Sequence, residues 1–220
     1  YDFSFTPRRS KVRVLPGPLS SNNRKGFMAM RKYKMIERAS YTVKLLVPGL
    51  EAVGERYRSM LSGLLQKPTR EHRLHLGLKY LGHEAEFDDG YMLQFVPELR
   101  KCAAAYLPLE GAIQGIEGFW NSPQLPSKPI IFLRVLPNDK LQRFHNEIRL
   151  ALENRVTTFS LAEGKYYTPH ITIGTGKQED EAKLKSRVNS TQNDNPIYFT
   201  AERFVMRLKG GRTRNIFPQR

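Results

Sequence analysis

Cysteine is almost absent from this sequence, which contains one such residue, Cys102, among 220. One cysteine cannot form an internal disulfide, and it excludes a zinc site built from several thiolates. This usage is typical of a reducing compartment, so we expect an intracellular location, cytoplasmic or nuclear. The sequence also lacks any run of about 18 apolar residues, which argues against a membrane partner. The basic N-terminal segment lacks the apolar stretch of a signal peptide.

Acidic residues are scarce at both ends of the chain. Overall, 36 Lys and Arg face 21 Asp and Glu, which gives a net charge of +15. Residues 1–40 contain ten basic and two acidic residues, and residues 201–220 contain six and one. Cationic ends favour a polyanionic partner such as RNA, although a solvated basic tail has the same composition. Residues 1–40 show no sustained apolar period, which predicts a loosely ordered arm before a single domain at residues 41–220.

Periodic patterns of apolar residues predict an α+β domain. β-rich runs predict strands at Tyr41–Val47, His72–Tyr80, Leu109–Phe119, Pro129–Leu136 and Ile197–Leu208, with Asn215–Phe217 paired to the last one. Helical spacing of apolar residues predicts helices at Leu50–Leu65, Val96–Tyr106, Lys140–Glu153 and Glu179–Val188. Two strands contain a histidine motif and each follows a helix. This order predicts two comparable lobes whose histidine strands face each other across a groove.

The stretch Tyr166–Gly174 places a histidine and a threonine two residues apart in an alternating pattern. Successive side chains of a strand point to opposite faces. One predicted face carries the polar side chains of Thr168, His170 and Thr172, and the other carries Tyr167, Ile171 and Ile173. An imidazole beside a hydroxyl can bind an anionic oxygen and transfer a proton.

A second stretch, Arg73–Gly82, repeats this layout with one difference. His75, Gly77 and Lys79 alternate with leucines, so Gly77 stands where a hydroxyl is expected. Alternation places Lys79 on the same face as His75. Lys79 is therefore a candidate residue of the same polar site, and the alternative is an ordinary solvated lysine.

These two stretches resemble the paired His-x-Thr/Ser motifs of the two-histidine (2H) phosphoesterases, the LigT-like superfamily that includes RNA 2′,3′-cyclic phosphodiesterases. Leu74–Gly82 is similar to the first motif, including its trailing aromatic-Leu-Gly, and Thr168–Ile173 to the second, including its proline. The resemblance covers roughly residues 41–208. It implies a two-lobed, pseudo-symmetric α+β fold in which antiparallel sheets line a central groove and helices lie outside.

The resemblance also implies a function. A 2H enzyme is expected to hydrolyse 2′,3′-cyclic phosphates of RNA or nucleotides by paired-histidine acid–base catalysis, without a metal or another cofactor, and we expect a monomer. The residues carried over as catalytic are His75, His170 and Thr172, and the substrate-binding candidates are Gly77, Lys79, Thr168 and Tyr167. For Tyr167, packing in the core is the favoured alternative to stacking on a base.

Other assignments stay open at this point. Relatives of this fold act on 2′,5′-linked oligonucleotides or cyclic dinucleotides, and Gly77 is also compatible with a catalytically weakened RNA-binding module. No acidic or histidine residues cluster at metal-ligand spacing around either motif, so no metal site is expected. We predict that His72, His83 and His145 are surface or structural residues.

Overall fold

A computed structural model describes residues 40–69, 74–120, 128–157 and 164–218. Its strands are β1 (Ser40–Leu46), β2 (Leu65–Pro68), β3 (Leu76–His83), β4 (Leu109–Phe119), β5 (Ile130–Val135), β6 (His170–Gly176), β7 (Ile197–Ala201), β8 (Arg203–Arg207) and β9 (Thr213–Phe217). Its α-helices are α1 (Leu50–Met60), α2 (Asp89–Leu93), α3 (Val96–Tyr106), α4 (Asp139–Ala151) and α5 (Glu181–Asn189). The predicted basic arm lies outside the described residues apart from Ser40, the first residue of β1.

The described strands form two antiparallel sheets. One has the order β3-β1-β8-β9 and the other the order β2-β6-β5-β4-β7. The α+β fold predicted from the resemblance is confirmed. The strand of the first histidine motif, β3, lies at the edge of its sheet, and the strand of the second, β6, lies one strand in from the edge of the other. The two strands contact each other, so the sheets meet at the motifs.

Helix α4 shows why the helical predictions succeed. Asn138 caps the helix, because its Oδ1 accepts a hydrogen bond from the Leu141 N–H at 2.9 Å. The apolar residues at helical spacing, Leu141, Phe144, Ile148 and Leu152, form a buried stripe, and all are 0% exposed. Burial of each such side chain contributes about 1.5–3 kcal/mol. α4 also contacts α3 and β3, so this helix supports the first-motif strand from behind.

The predicted final strand at Ile197–Leu208 is wrong as a single element. It is two strands, β7 and β8, which belong to different sheets and are separated by Glu202. In β7 burial alternates, whereas Phe204, Val205 and Met206 are buried in succession. Continuous burial is typical of a strand covered on both faces. It distinguishes β8 from β7, which has one exposed face.

Other boundaries also differ from the prediction. Helix α1 ends at Met60 rather than continuing to Leu65, and Gly63 with a φ of +79° turns the chain into β2, which the sequence did not predict. Asp88 caps the short helix α2, because its Oδ1 accepts a hydrogen bond from the Tyr91 N–H at 2.8 Å. No helix in the described part is long and apolar enough to cross a membrane.

Candidate functional site

The second motif begins at the first residue of β6. His170 lies directly opposite Arg134 of β5, and Thr172 lies opposite Phe132. Directly opposite residues of an antiparallel pair share a face. We call the face that carries His170, Thr172, Arg134 and Phe132 the motif face. The opposite face packs into the core, as predicted, since Ile171 and Ile173 are 0% exposed. Thr168 precedes the strand and is exposed.

The His170 ring is held in one orientation. Its Nδ1 lies 2.7 Å from the Thr168 carbonyl oxygen, which can only accept, so Nδ1 is the protonated nitrogen. The ring packs edge-on against Phe119, with centroids 5.1 Å apart, and lies 5.2 Å from Phe132. Burial lowers the pKa of His170 below its ordinary value of 6.5, and the bond to Thr168 opposes this shift. The neutral ring therefore presents Nε2 as its proton-accepting atom.

The first motif lies at the start of β3. His75 is half-buried and immediately precedes the strand, and Leu74 beside it is 6% exposed. Gly77 is half-buried and lies directly opposite Lys44 of β1. A Cβ built on Gly77 would meet no described atom within 4 Å. The missing side chain therefore leaves open space, and its φ is not in the left-handed region that favours glycine.

A bulge in β3 corrects the predicted position of Lys79. Lys44 pairs with Gly77, but Val43 pairs with Lys79, so Leu78 is an extra residue. Val43 and Lys44 point to opposite faces, and Lys79 therefore lies on the Val43 face, where it is 5% exposed. The prediction that Lys79 shares a polar face with the first motif is therefore wrong. The alternative, a solvated lysine, is also wrong. Strict alternation does not anticipate the inserted residue of a bulge.

Two other side chains occupy the face of Gly77. One is Lys44, directly opposite Gly77, and the other is Tyr80, which lies opposite Thr42 after the bulge. Burial raises the pKa of the Tyr80 phenol to about 12, so this hydroxyl is a hydrogen-bond donor at neutral pH. Sequence reasoning missed both, because their position depends on strand pairing.

The carbonyls of the bulge bind one side chain from beside the second motif, Tyr167, and one from helix α4, His145. The Tyr167 hydroxyl donates to the Gly77 oxygen at 2.7 Å, and His145 Nδ1 donates to the Leu78 oxygen at 2.7 Å. His145 Nε2 accepts from the Gly164 N–H at 3.0 Å. The two rings stack with centroids 3.9 Å apart and 5° between their planes. We call Tyr167 and His145 the bulge clamp, because together they join β3 to the segment that leads into β6 and to helix α4.

The bulge clamp bears on the sequence predictions for Tyr167 and His145. Tyr167 packs against the core, as the favoured alternative had it, and burial raises the pKa of its phenol, which stays a donor. His145 is structural and 0% exposed. His83 is half-buried, with Nδ1 accepting from the Ala85 N–H at 3.0 Å, and His72 lies outside the described residues.

Arg134 is a further residue of the motif face that sequence reasoning missed. Its Nε donates to the Gln114 carbonyl oxygen at 3.0 Å, and its Nη2 donates to Gln114 Oε1 at 3.1 Å and to the Gln192 carbonyl oxygen at 3.4 Å. A signal was present, since Arg134 is the one charged residue in the apolar run of residues 129–136. In the described part of the chain, no three His, Cys, Asp or Glu side chains are grouped as metal ligands would be.

Comparisons with known proteins identify a family and similar folds. A family model described as the 2′-5′ RNA ligase superfamily matches residues 47–212. A Geobacillus kaustophilus protein with a provisional phosphoesterase name is 32% identical over 100 residues, which cover 46% of this chain and 50% of that protein. The chain thus spans about half the length of this curated relative.

Solved structures share the fold at low sequence identity. The protein TT0787 of Thermus thermophilus is 16% identical with a TM-score of 0.53, and the match covers 76% of this chain and 86% of that one. Usb1 of Kluyveromyces marxianus is 12% identical with a TM-score of 0.51, and the match covers 81% of this chain and 98% of that one. These matches concern the architecture that holds both histidine motifs.

Proposed function

The chain belongs to the 2′-5′ RNA ligase superfamily, the two-histidine phosphoesterases, and we propose that it hydrolyses 2′,3′-cyclic phosphates of RNA or nucleotides. The observation that carries this proposal is the His170 ring, whose Nδ1 is bonded to Thr168 while Nε2 remains basic. Its strand contacts the strand that follows His75, which supports the proposal that the two histidines act at one site. Two imidazoles supply both proton transfers that hydrolysis of a diester requires.

In the proposed reaction His170 is the general base. Its Nε2 takes a proton from water, and the water oxygen attacks the phosphorus of the cyclic diester. The bond from phosphorus to one ribose oxygen breaks, and His75 donates a proton to that oxygen. The products are a terminal phosphate monoester and a free ribose hydroxyl. Each proton transfer contributes roughly 10²- to 10⁴-fold to the rate. Burial lowers the pKa of His170, and this favours the neutral ring that a general base requires.

Charge on the phosphate oxygens is stabilised by donors on both motif strands. Thr172 donates its hydroxyl from the motif face. Gly77 offers no side chain, so Lys44 and Tyr80 on its face are the candidates to supply positive charge and a hydrogen bond. Lys79 is not included, because it lies on the buried face. Thr168 acts through its carbonyl oxygen, which orients the base, and Tyr167 acts through the carbonyl of Gly77.

The test compares the wild type with His170→Ala in the presence of EDTA. The substrates are adenosine 2′,3′-cyclic phosphate, a short RNA ending in a 2′,3′-cyclic phosphate, and 2′,5′-oligoadenylate. We expect turnover of the cyclic phosphates and a loss of at least about 10²-fold in His170→Ala. His83→Ala is the matched control and should keep wild-type turnover. Full turnover by His170→Ala, or turnover that EDTA abolishes, would refute the proposal.

The second candidate function is RNA binding without turnover, and Gly77 is the observation that favours it. A folded wild type that turns over none of the three substrates, but binds RNA with a strong salt dependence, would establish this alternative. Turnover of 2′,5′-oligoadenylate alone would instead assign the 2′,5′-phosphodiesterase activity.

A further inference from the structure

Arg134 carries a positive charge that no carboxylate neutralises within the described residues. Its three hydrogen bonds all end on neutral oxygens, namely the Gln114 carbonyl, the Gln114 side-chain amide and the Gln192 carbonyl. A guanidinium stays charged throughout the physiological pH range. The residue is half-buried, and a partly desolvated charge without a counter-ion costs free energy. An anionic ligand would offset that cost.

The guanidinium is also fixed before any ligand arrives. Gln114 Nε2 donates to the Asp194 carbonyl oxygen at 3.0 Å, which immobilises the amide that Arg134 binds. Gln192 Nε2 likewise donates to the Ile116 carbonyl oxygen at 3.3 Å. Of the five guanidinium N–H groups, these contacts use the one on Nε and the two on Nη2. Both N–H groups of Nη1 therefore lack an acceptor in the part of the chain that the structure describes.

The position of Arg134 relates it to the proposed site. It lies directly opposite His170 on the motif face, and its side chain extends toward β4, where it contacts Gln114 of that strand and Gln192. The guanidinium is thus offset from His170 on the side of β5 that faces β4. In a polynucleotide, the group beside a scissile phosphate is the next phosphodiester.

We propose that Arg134 forms a second phosphate subsite beside His170 and that the substrate is an oligonucleotide with a cyclic terminal phosphate. The neighbouring phosphodiester of the chain accepts hydrogen bonds from Nη1, and a mononucleotide leaves the subsite empty. This inference rests on the proposed function for the site it extends. The guanidinium is suited to the role, because its planar fork matches two phosphate oxygens.

The experiment measures kcat and KM for adenosine 2′,3′-cyclic phosphate and for the adenylyl dinucleotide that ends in the same cyclic phosphate. We expect the wild type to prefer the dinucleotide by about tenfold in kcat/KM. Arg134→Gln should remove that preference by raising KM for the dinucleotide more than KM for the mononucleotide. Arg134→Lys keeps the charge without the fork and should retain part of the preference. Arg143→Gln, on the exposed side of α4, is the matched control and should behave as wild type.

Two results would overturn the inference while the proposed function stands. An Arg134→Gln variant that slows both substrates equally would show that Arg134 only supports the fold. A wild type with no preference for the dinucleotide would show that the subsite is absent. If the wild type turns over neither substrate, the proposed function fails, and calorimetric binding decides the subsite alone. The wild type should then bind the 3′-phosphorylated dinucleotide more tightly than adenosine 3′-phosphate, and Arg134→Gln should bind the two ligands equally. Equal affinity of the wild type for the two ligands would overturn the subsite.

Discussion

A single hydrogen bond decides which His170 nitrogen is available for chemistry. Because Nδ1 donates to the Thr168 carbonyl, the neutral ring carries its lone pair on Nε2. Phe119 and Phe132 pack against the same ring. Burial disfavours the imidazolium more than the carbonyl stabilises it, and this balance lowers the pKa. The ring is therefore held in the form that a general base needs.

The pH dependence of the reaction follows from that shift. The pKa of His170 lies below 6.5, so the basic form persists to lower pH and the acid limb of kcat/KM should fall below pH 6.5. As pH falls, the His170 ring is protonated at a higher pH in the unfolded chain than in the folded one. The stability that His170 contributes is therefore complete above pH 6.5 and is lost as pH falls through the folded pKa. A pH–rate profile and an NMR titration of His170 test this. An acid limb above pH 6.5 would contradict it.

Gly77 offers a gain-of-function prediction. Gly77→Thr places a hydroxyl in open space on a backbone that tolerates a side chain. In other enzymes, loss of one hydrogen-bond donor to the charge that develops in the transition state lowers kcat by about 10²- to 10³-fold. We therefore expect Gly77→Thr to raise kcat by at least about tenfold. Gly77→Val has the same shape without the hydroxyl and should not raise kcat. Equal rates in the two variants would mean that another group already supplies the donor.

At the scale of elements, the bulge of β3 connects the two motif strands. The extra residue Leu78 turns two successive carbonyls, those of Gly77 and Leu78, toward the bulge clamp. Bulges commonly re-aim groups next to active sites. Through this contact β3, an edge strand of one sheet, is fixed against the segment that leads into β6 of the other.

Tyr167→Phe removes one bond of the clamp and keeps the ring stack on His145. Because the Gly77 carbonyl loses a donor, we expect a loss of about 1–3 kcal/mol in unfolding free energy, and a several-fold fall in kcat with little change in KM. Urea denaturation and steady-state kinetics measure the two effects. Tyr198→Phe is the control, since Tyr198 is 82% exposed. Identical behaviour of the two variants would show that the clamp does not position the first motif.

At the scale of the whole molecule, positive charge is concentrated outside the described strands and helices. Ten basic residues lie in residues 1–40, and Ser40 continues directly into β1, which pairs with the first-motif strand. Basic side chains in the segment that precedes β1 would add affinity for a long polyanion without contacting the scissile phosphate. Binding and turnover should therefore respond separately to changes in the basic arm.

Replacement of Arg8, Arg9, Lys11 and Arg13 by Gln in the full chain tests this separation. RNA affinity should fall, and the slope of log K against log salt should flatten by about 0.7 for each phosphate that is no longer neutralised. Fluorescence anisotropy at several salt concentrations measures both. Turnover of adenosine 2′,3′-cyclic phosphate should not change. Unaltered RNA affinity would show that these cations are merely solvated.

The sequence by itself determined the local elements and the two motifs. The buried stripe of α4 and the core face of β6 are periodic patterns of neighbouring residues, and periodicity is a local property. Apart from the pairing of β8 with β9, the tertiary structure alone decided which strands pair, and in which register. That is why the bulge moved Lys79 to the buried face, why Glu202 divides two strands of different sheets, and why Arg134 lies opposite His170. Register depends on contacts between residues distant in sequence, so one inserted residue reverses a face that alternation alone predicts.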